Sequence, residues 1–174
     1  MEELKYPIGK FQVPNTYDEA FRVNAIQTLA ELPVKLNALL AGVSKEQLIG
    51  KYRPEGWSIR QVVHHLADSH MNCLIRFKLG LTEDHPTVKP YNDNLWANLA
   101  DGNNNEIESS LLIIEGVHAR LVTLLKSIKG DEWERLIHHP ESKRDMSMNF
   151  LLALYSWHSK HHLAHIKNAI ANPY

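Results

Sequence analysis

"WHSKHHLAHI", residues 157–166, carries four histidines, His158, His161, His162 and His165, in a chain that has eleven among 174 residues. On an α-helix each residue advances about 100°, so His161 and His165 share one face, as do His158 and His162. All four fall within an arc of about 100° that also holds Leu151, Leu154, Tyr155 and Ala169, which turns them inward. Buried imidazoles are costly unless their ring nitrogens find partners, and a metal ion satisfies two or three at once. A helix C-terminal dipole, a backbone carbonyl or a water can also satisfy them. The spacing alone leaves both readings, and both pairs, open.

A metal held by two histidines of one helix needs a third protein ligand. "VVHHLADSH", residues 62–70, offers His64, His65 and His70. His70 projects into an apolar face with Val63, Leu66 and Phe77, whereas His64 and His65 lie on its opposite borders. His65 continues into a polar stripe through Ser69, Asn72 and Arg76, spaced i, i+4, i+7 and i+11, with Asp68 beside it. Periodicity does not choose among the three, and such a stripe is a solvated face unless it opens into a shared cavity.

Both stretches belong to helices. Four long segments have helix-period apolar residues and start signals, and no period-two alternation is long enough for a sheet, so the chain is expected to be all-α. The first helix is predicted to open at Thr16, with Glu19 completing a capping box, and to end before Gly42, with a kink or restart at Pro33. The second spans Ser58 to about Thr82 from a Ser58/Gln61 capping box; the third covers about 105–128; the fourth runs from near Ser147 to about Asn172. The connections, 83–104 and 129–146, are long for a simple bundle, with room for short helical turns.

Axial position ties the histidines to the topology. His65 lies early in the second helix and His161 and His165 late in the fourth, so they meet at one level only if these helices are antiparallel. In an up-down-up-down bundle they would be offset by about 10–15 Å, at about 1.5 Å per residue. An up-down-down-up order removes the offset and requires a connection between the second and third helices that travels the length of the bundle. Residues 83–104 are long enough for that.

Nineteen basic against twenty acidic residues give a net charge of −1, which advertises neither nucleic acid nor an anionic membrane as partner. No apolar run approaches the ~20 residues of a membrane span and no signal-peptide layout is present, so a cytoplasmic location is expected. Length predicts one domain over residues 1–174. Cys73 stands alone and is read as packing.

Two of these stretches carry a resemblance. "GWSIRQVVHHLADSHMN", residues 56–72, and "YSWHSKHHLAHI", residues 155–166, are similar to the Trp-Ser/Thr start and His-Leu step, and to the H-x-x-H-x-x-x-H ending, of the DinB/YfiT-like metal-dependent enzymes. "YPIGKF", 6–11, and "HHPESK", 138–143, fit the metal-dependent hydrolase branch. The resemblance implies a four-helix bundle with up-down-down-up order, His65, His161 and His165 as metal ligands, and a homodimer.

Three imidazoles and no thiolate leave coordination positions open, the pattern of a catalytic zinc site, and nickel would also accept them. The expected function is hydrolysis of a small-molecule substrate by activated water. The alternatives are a bacillithiol S-transferase using the same metal to bind a thiolate, and a non-catalytic metal-binding bundle. No general base can be assigned, and Asp68 is a candidate for orienting an imidazole.

Overall fold

A computed structural model describes residues 1–174. Its four long helices are α2 (Glu19–Leu40), α3 (Ile59–Thr82), α5 (Glu108–Ser127) and α6 (Met148–Ala171); short helices α1 (Glu2–Lys5) and α4 (Asp93–Ala97) lie between and before them. The third and fourth predicted helices match α5 and α6 within three residues at every end. The second matches α3, where Gln61 Oε1 accepts from Ser58 N at 3.0 Å.

The first helix starts later than predicted. Asp18, not Thr16, is its cap, accepting from Phe21 N at 2.7 Å. A carboxylate at this position also favours the positive helix end, which a threonine hydroxyl does not. Pro33 leaves α2 as one continuous helix. The expected all-α class holds apart from one small addition, an antiparallel hairpin of β1 (Leu136–His139) and β2 (Arg144–Ser147) in the connection before α6. Four-residue strands are too short for period-two alternation to register in the sequence.

Each long helix packs on two others: α2 on α5 and α6, and α3 on α5 and α6. Sequence neighbours α2 and α3 therefore sit diagonally, as do α5 and α6. Directions follow from side-chain pairs. Contacts of α3 with α6 run from His65–His158 to Arg76–Tyr155, so the sequence numbers move in opposite senses and the helices are antiparallel. Between α3 and α5, His64–Ser110 and His70–His118 run in the same sense, so these helices are parallel. Arg22 bonds to Asn149 while Leu36 and Ile166 share one core cluster, so α2 runs parallel to α6 and the bundle is up-down-down-up.

Its apolar core is split in two. One cluster holds Leu29, Phe77, Leu121 and Leu151; the other holds Leu36, Val63, Ile114 and Ile166. Along every helix the two are separated at one level, and buried histidines of α3, α5 and α6 occupy it: His70, His118, His161, His162 and His165.

Candidate metal centre

The dividing level opens on one side into a cavity of about 630 Å³ lined by His65, His158, His161, His162 and His165. All three histidines implied by the resemblance face this space. His162 is central, with ring centroids 4.8 Å from His65, 4.4 Å from His158, 5.1 Å from His161 and 5.3 Å from His165. His161 and His165 stand 4.2 Å apart. The tightest triplet is different: ligand atoms of His65, His158 and His162 lie within 4.8 Å of one another.

The other two histidines of the second helix have separate work. His64 Nε2–H donates to the Asn104 carbonyl at 2.9 Å, leaving Nδ1 to accept from Ser110 Oγ at 2.8 Å, so it ties α3 to α5. His70 is fully buried and belongs to a chain of imidazoles.

That chain begins at Pro33. Proline has no N–H, so the Leu29 carbonyl four residues earlier loses its helical donor. His118 Nδ1–H supplies one instead, at 2.6 Å. A carbonyl can only accept, and this fixes every proton that follows. Burial holds His118 at about 4 and pushes His70 and His158 well below the ordinary 6.5, so all three are neutral near pH 7, with one donor and one acceptor each. His118 Nε2 accepts from His70 Nδ1–H at 2.9 Å, and His70 Nε2 accepts from His158 Nδ1–H at 3.3 Å. His158 Nε2 then accepts from His65 Nε2–H at 3.1 Å. Both nitrogens of His158 are thus engaged, and His65 Nδ1, which carries no proton in this arrangement, is left outside the chain and available to a metal.

On the opposite wall His165 Nε2–H donates to the Lys5 carbonyl at 3.1 Å and Nδ1 accepts from His162 at 3.4 Å. His161 differs from its neighbours: its Nδ1 is buried without a hydrogen-bond partner, and its ring stacks on Trp157 with centroids 4.4 Å apart. Desolvation holds His65, His161 and His165 at about 4. They are therefore neutral at pH 7, the form that ligates a metal. Neutral imidazoles with an unpartnered nitrogen among them fit a divalent cation.

Several lining residues are not marked as such by the sequence: Tyr52, Arg53, Tyr91 and Asp93, while Trp57 reads only as the start of the second helix and Tyr155 only as part of the inward face of the fourth. Tyr52 stacks on His165 at 3.8 Å and Trp57 packs on His65 at 4.6 Å between centroids. Asp93, on α4 in the long connection, acts on His65 by raising its proton affinity against the larger effect of burial. The Asn92 cap of α4, accepting from Leu95 N at 2.9 Å, was a readable signal for that short helix, but nothing in it marks Asp93 as facing the site. Asp68 does not line the cavity. A second triplet, His85, His138 and Asp145, is exposed at the hairpin, with both imidazoles on one carboxylate oxygen at 3.0 and 2.8 Å.

No helix is long and apolar enough to cross a membrane. Residues 28–166 match the DinB superfamily. A Geobacillus thermodenitrificans protein named "Putative metal-dependent hydrolase" is 45% identical over 166 residues, covering 95% of this chain and 93% of its own. "Putative metal-dependent hydrolase YfiT" of Bacillus subtilis is 40% identical over 163 residues, covering 94% and 92%. A solved structure of Bacillus subtilis YfiT, described as a "probable metal-dependent hydrolase with an unusual four-helix bundle topology", superposes with a TM-score of 0.91 over 94% of both chains at 40% identity. With the family match spanning most of the bundle and the fold shared with YfiT, this chain belongs to the DinB superfamily.

Proposed function

We propose that this chain is a metal-dependent hydrolase of small molecules, with one divalent ion, zinc in first place and nickel in second, held by His65, His161 and His165. The observation that carries the reading is the buried, unpartnered Nδ1 of His161 in a cavity it shares with His65 and His165, all three neutral. His158 is the less suitable ligand because the chain from Leu29 fixes its tautomer and holds both its nitrogens, whereas His165 has only a long 3.4 Å contact from His162 to give up at Nδ1. Its role is to hold His65, as hydrogen-bonded partners hold the ligating imidazoles of metal enzymes.

Zinc bound there supplies a Lewis acid that polarises a carbonyl or phosphoryl group and makes water acidic enough to attack at neutral pH. The residues do the rest. Trp57 and Trp157 pack against His65 and His161 and limit water around them. Tyr52 fixes the ring plane of His165. Asp93, whose charge acts on His65, is the carboxylate we assign to accept the proton released in the reaction.

The test is turnover by zinc-loaded protein of an ester and amide panel, with products identified by mass spectrometry with and without bacillithiol. Hydrolysis without thiol is expected. A strict thiol requirement with a conjugate as product would replace this reading with thiol transfer at the same ligands, and turnover by metal-free His65→Ala protein would exclude both.

A further inference from the structure

The polar stripe of the second helix opens into the histidine cavity. His65, Ser69 and Arg76 all line it, and Arg76 is the far end. Its guanidinium is held through both terminal nitrogens: Nη1 donates to Tyr155 Oη at 3.0 Å and Nη2 to His139 Nε2 at 3.4 Å, which leaves each with one further N–H. Burial and the Arg76 charge itself keep His139 below its ordinary value, so that ring meets the guanidinium as a neutral acceptor. The Nε atom is buried without a partner.

No carboxylate lies within 4.0 Å of Arg76, since the five ion pairs of the chain all lie elsewhere. The cavity has two carboxylates, Asp93 and Glu141, and neither pairs with it. Lys5 and Arg53 line the same space, so three fixed cations face two anions among histidines that are mostly neutral. A partly buried guanidinium without a counter-charge is costly, and its planar fork matches an oxyanion in two-point contact.

We infer that Arg76 is the anchor for an anionic oxygen group, carboxylate or phosphate, at the end of the substrate remote from the bond that is cleaved. This rests on the cavity being the active site of the hydrolase proposed above. Tyr155, which Arg76 holds, lies six residues from His161, about 9 Å along α6 at about 1.5 Å per residue. The substrate is therefore an extended molecule with an electrophilic carbonyl or phosphoryl centre at the histidines and its anionic tail at Arg76.

Two measurements on zinc-loaded protein test this. In the first, suberate, octanoate and inorganic phosphate are titrated calorimetrically into the unaltered protein, Arg76→Gln and Arg76→Lys. Suberate or phosphate should bind more tightly than octanoate, Arg76→Gln should weaken that anion about 10- to 100-fold, and Arg76→Lys, which keeps the charge and loses the fork, should fall between. Whichever anion shows the dependence identifies the tail. Equal binding by the unaltered protein and both variants overturns the inference.

In the second, mono-p-nitrophenyl suberate is compared with p-nitrophenyl octanoate, which has the same chain length and no terminal carboxylate. If suberate is the dependent anion, the charged ester should have the higher kcat/KM, and Arg76→Gln should erase that preference chiefly through KM. A preference that persists in Arg76→Gln overturns the anchor. If neither ester turns over, the hydrolase reading fails for esters while the titration still decides on Arg76.

Discussion

Replacing His161 and His158 in turn separates a ligand from the residue that holds one, because the two substitutions should divide their cost differently between metal and stability. Zinc held by four ligands in small structural sites is worth about 10–16 kcal/mol, so one ligand carries about 3–4 kcal/mol. At about 1.4 kcal/mol per decade, His161→Ala should weaken zinc about 100- to 1,000-fold. The fold should lose little, since the imidazole's buried Nδ1 has no partner and its main contact is the stack on Trp157.

His158→Ala should cost less in metal and more in the fold. Removing a supporting hydrogen bond typically costs about 10- to 100-fold in metal affinity. It also strips a partner from His70 Nε2 and from His65 Nε2, each buried, at about 1–3 kcal/mol per unsatisfied group. Elemental analysis after dialysis, a zinc competition titration and urea unfolding of metal-free protein read both quantities. If His158→Ala or His162→Ala loses the metal while His161→Ala keeps it, the tight triplet of His65, His158 and His162 is the site and the proposed ligand pair is wrong.

Acid should destabilise the metal-free protein. His65 and His118 titrate at about 4 when folded against an ordinary 6.5, so the unfolded chain takes up protons first; stability is full above pH 6.5 and falls towards pH 4 by at most about 3 kcal/mol per group, and urea midpoints that stay flat across this window would contradict the buried neutral state. His118→Leu leaves the Leu29 carbonyl and His70 Nδ1–H without partners in the core and should cost about 2–4 kcal/mol in the same assay. Gly80→Ala adds a methyl that overlaps Met148 Cε and lies 3.0 Å from Met148 Sδ and 3.1 Å from Ile137 Cγ2, where α3, α6 and the hairpin meet, and a loss of about 1–3 kcal/mol is expected in urea.

The helices and their order were legible because amphipathic periodicity, caps and the levels of His65 and His161 are local or arithmetic properties of the chain. The hairpin was not, since residues 136–139 and 144–147 are too short to alternate. The site was legible as a set of candidates. Periodicity left His64, His65 and His70 equivalent, with only the family resemblance pointing to His65, and the structure separates them through partners far along the chain: Asn104 and Ser110 for His64, His118 for His70. The choice between the two pairs on α6 depends on which ring nitrogens are already spoken for, a tertiary property. Arg76 was read as part of a stripe, and only the cavity gives that stripe a role.

Pro33 connects local sequence to chemistry in the most direct way. A proline in a helix interior costs about 3 kcal/mol and reads in sequence as a kink or a stop. In α2 its effect is to leave one carbonyl without a donor at the level where the core divides. His118 takes that carbonyl, and because neutral imidazole has one donor and one acceptor, the bond sets the orientation of His70, then His158, then the proton on His65. The chain crosses from α2 to α5, α3 and α6, so it also requires all four helices in one axial register. Residues 29, 118, 70 and 158 all lie within two residues of the midpoints of their helices, so the chain crosses the bundle at its waist. The local violation of helix chemistry is therefore built into the arrangement that presents His65 to the cavity with its ring held from behind.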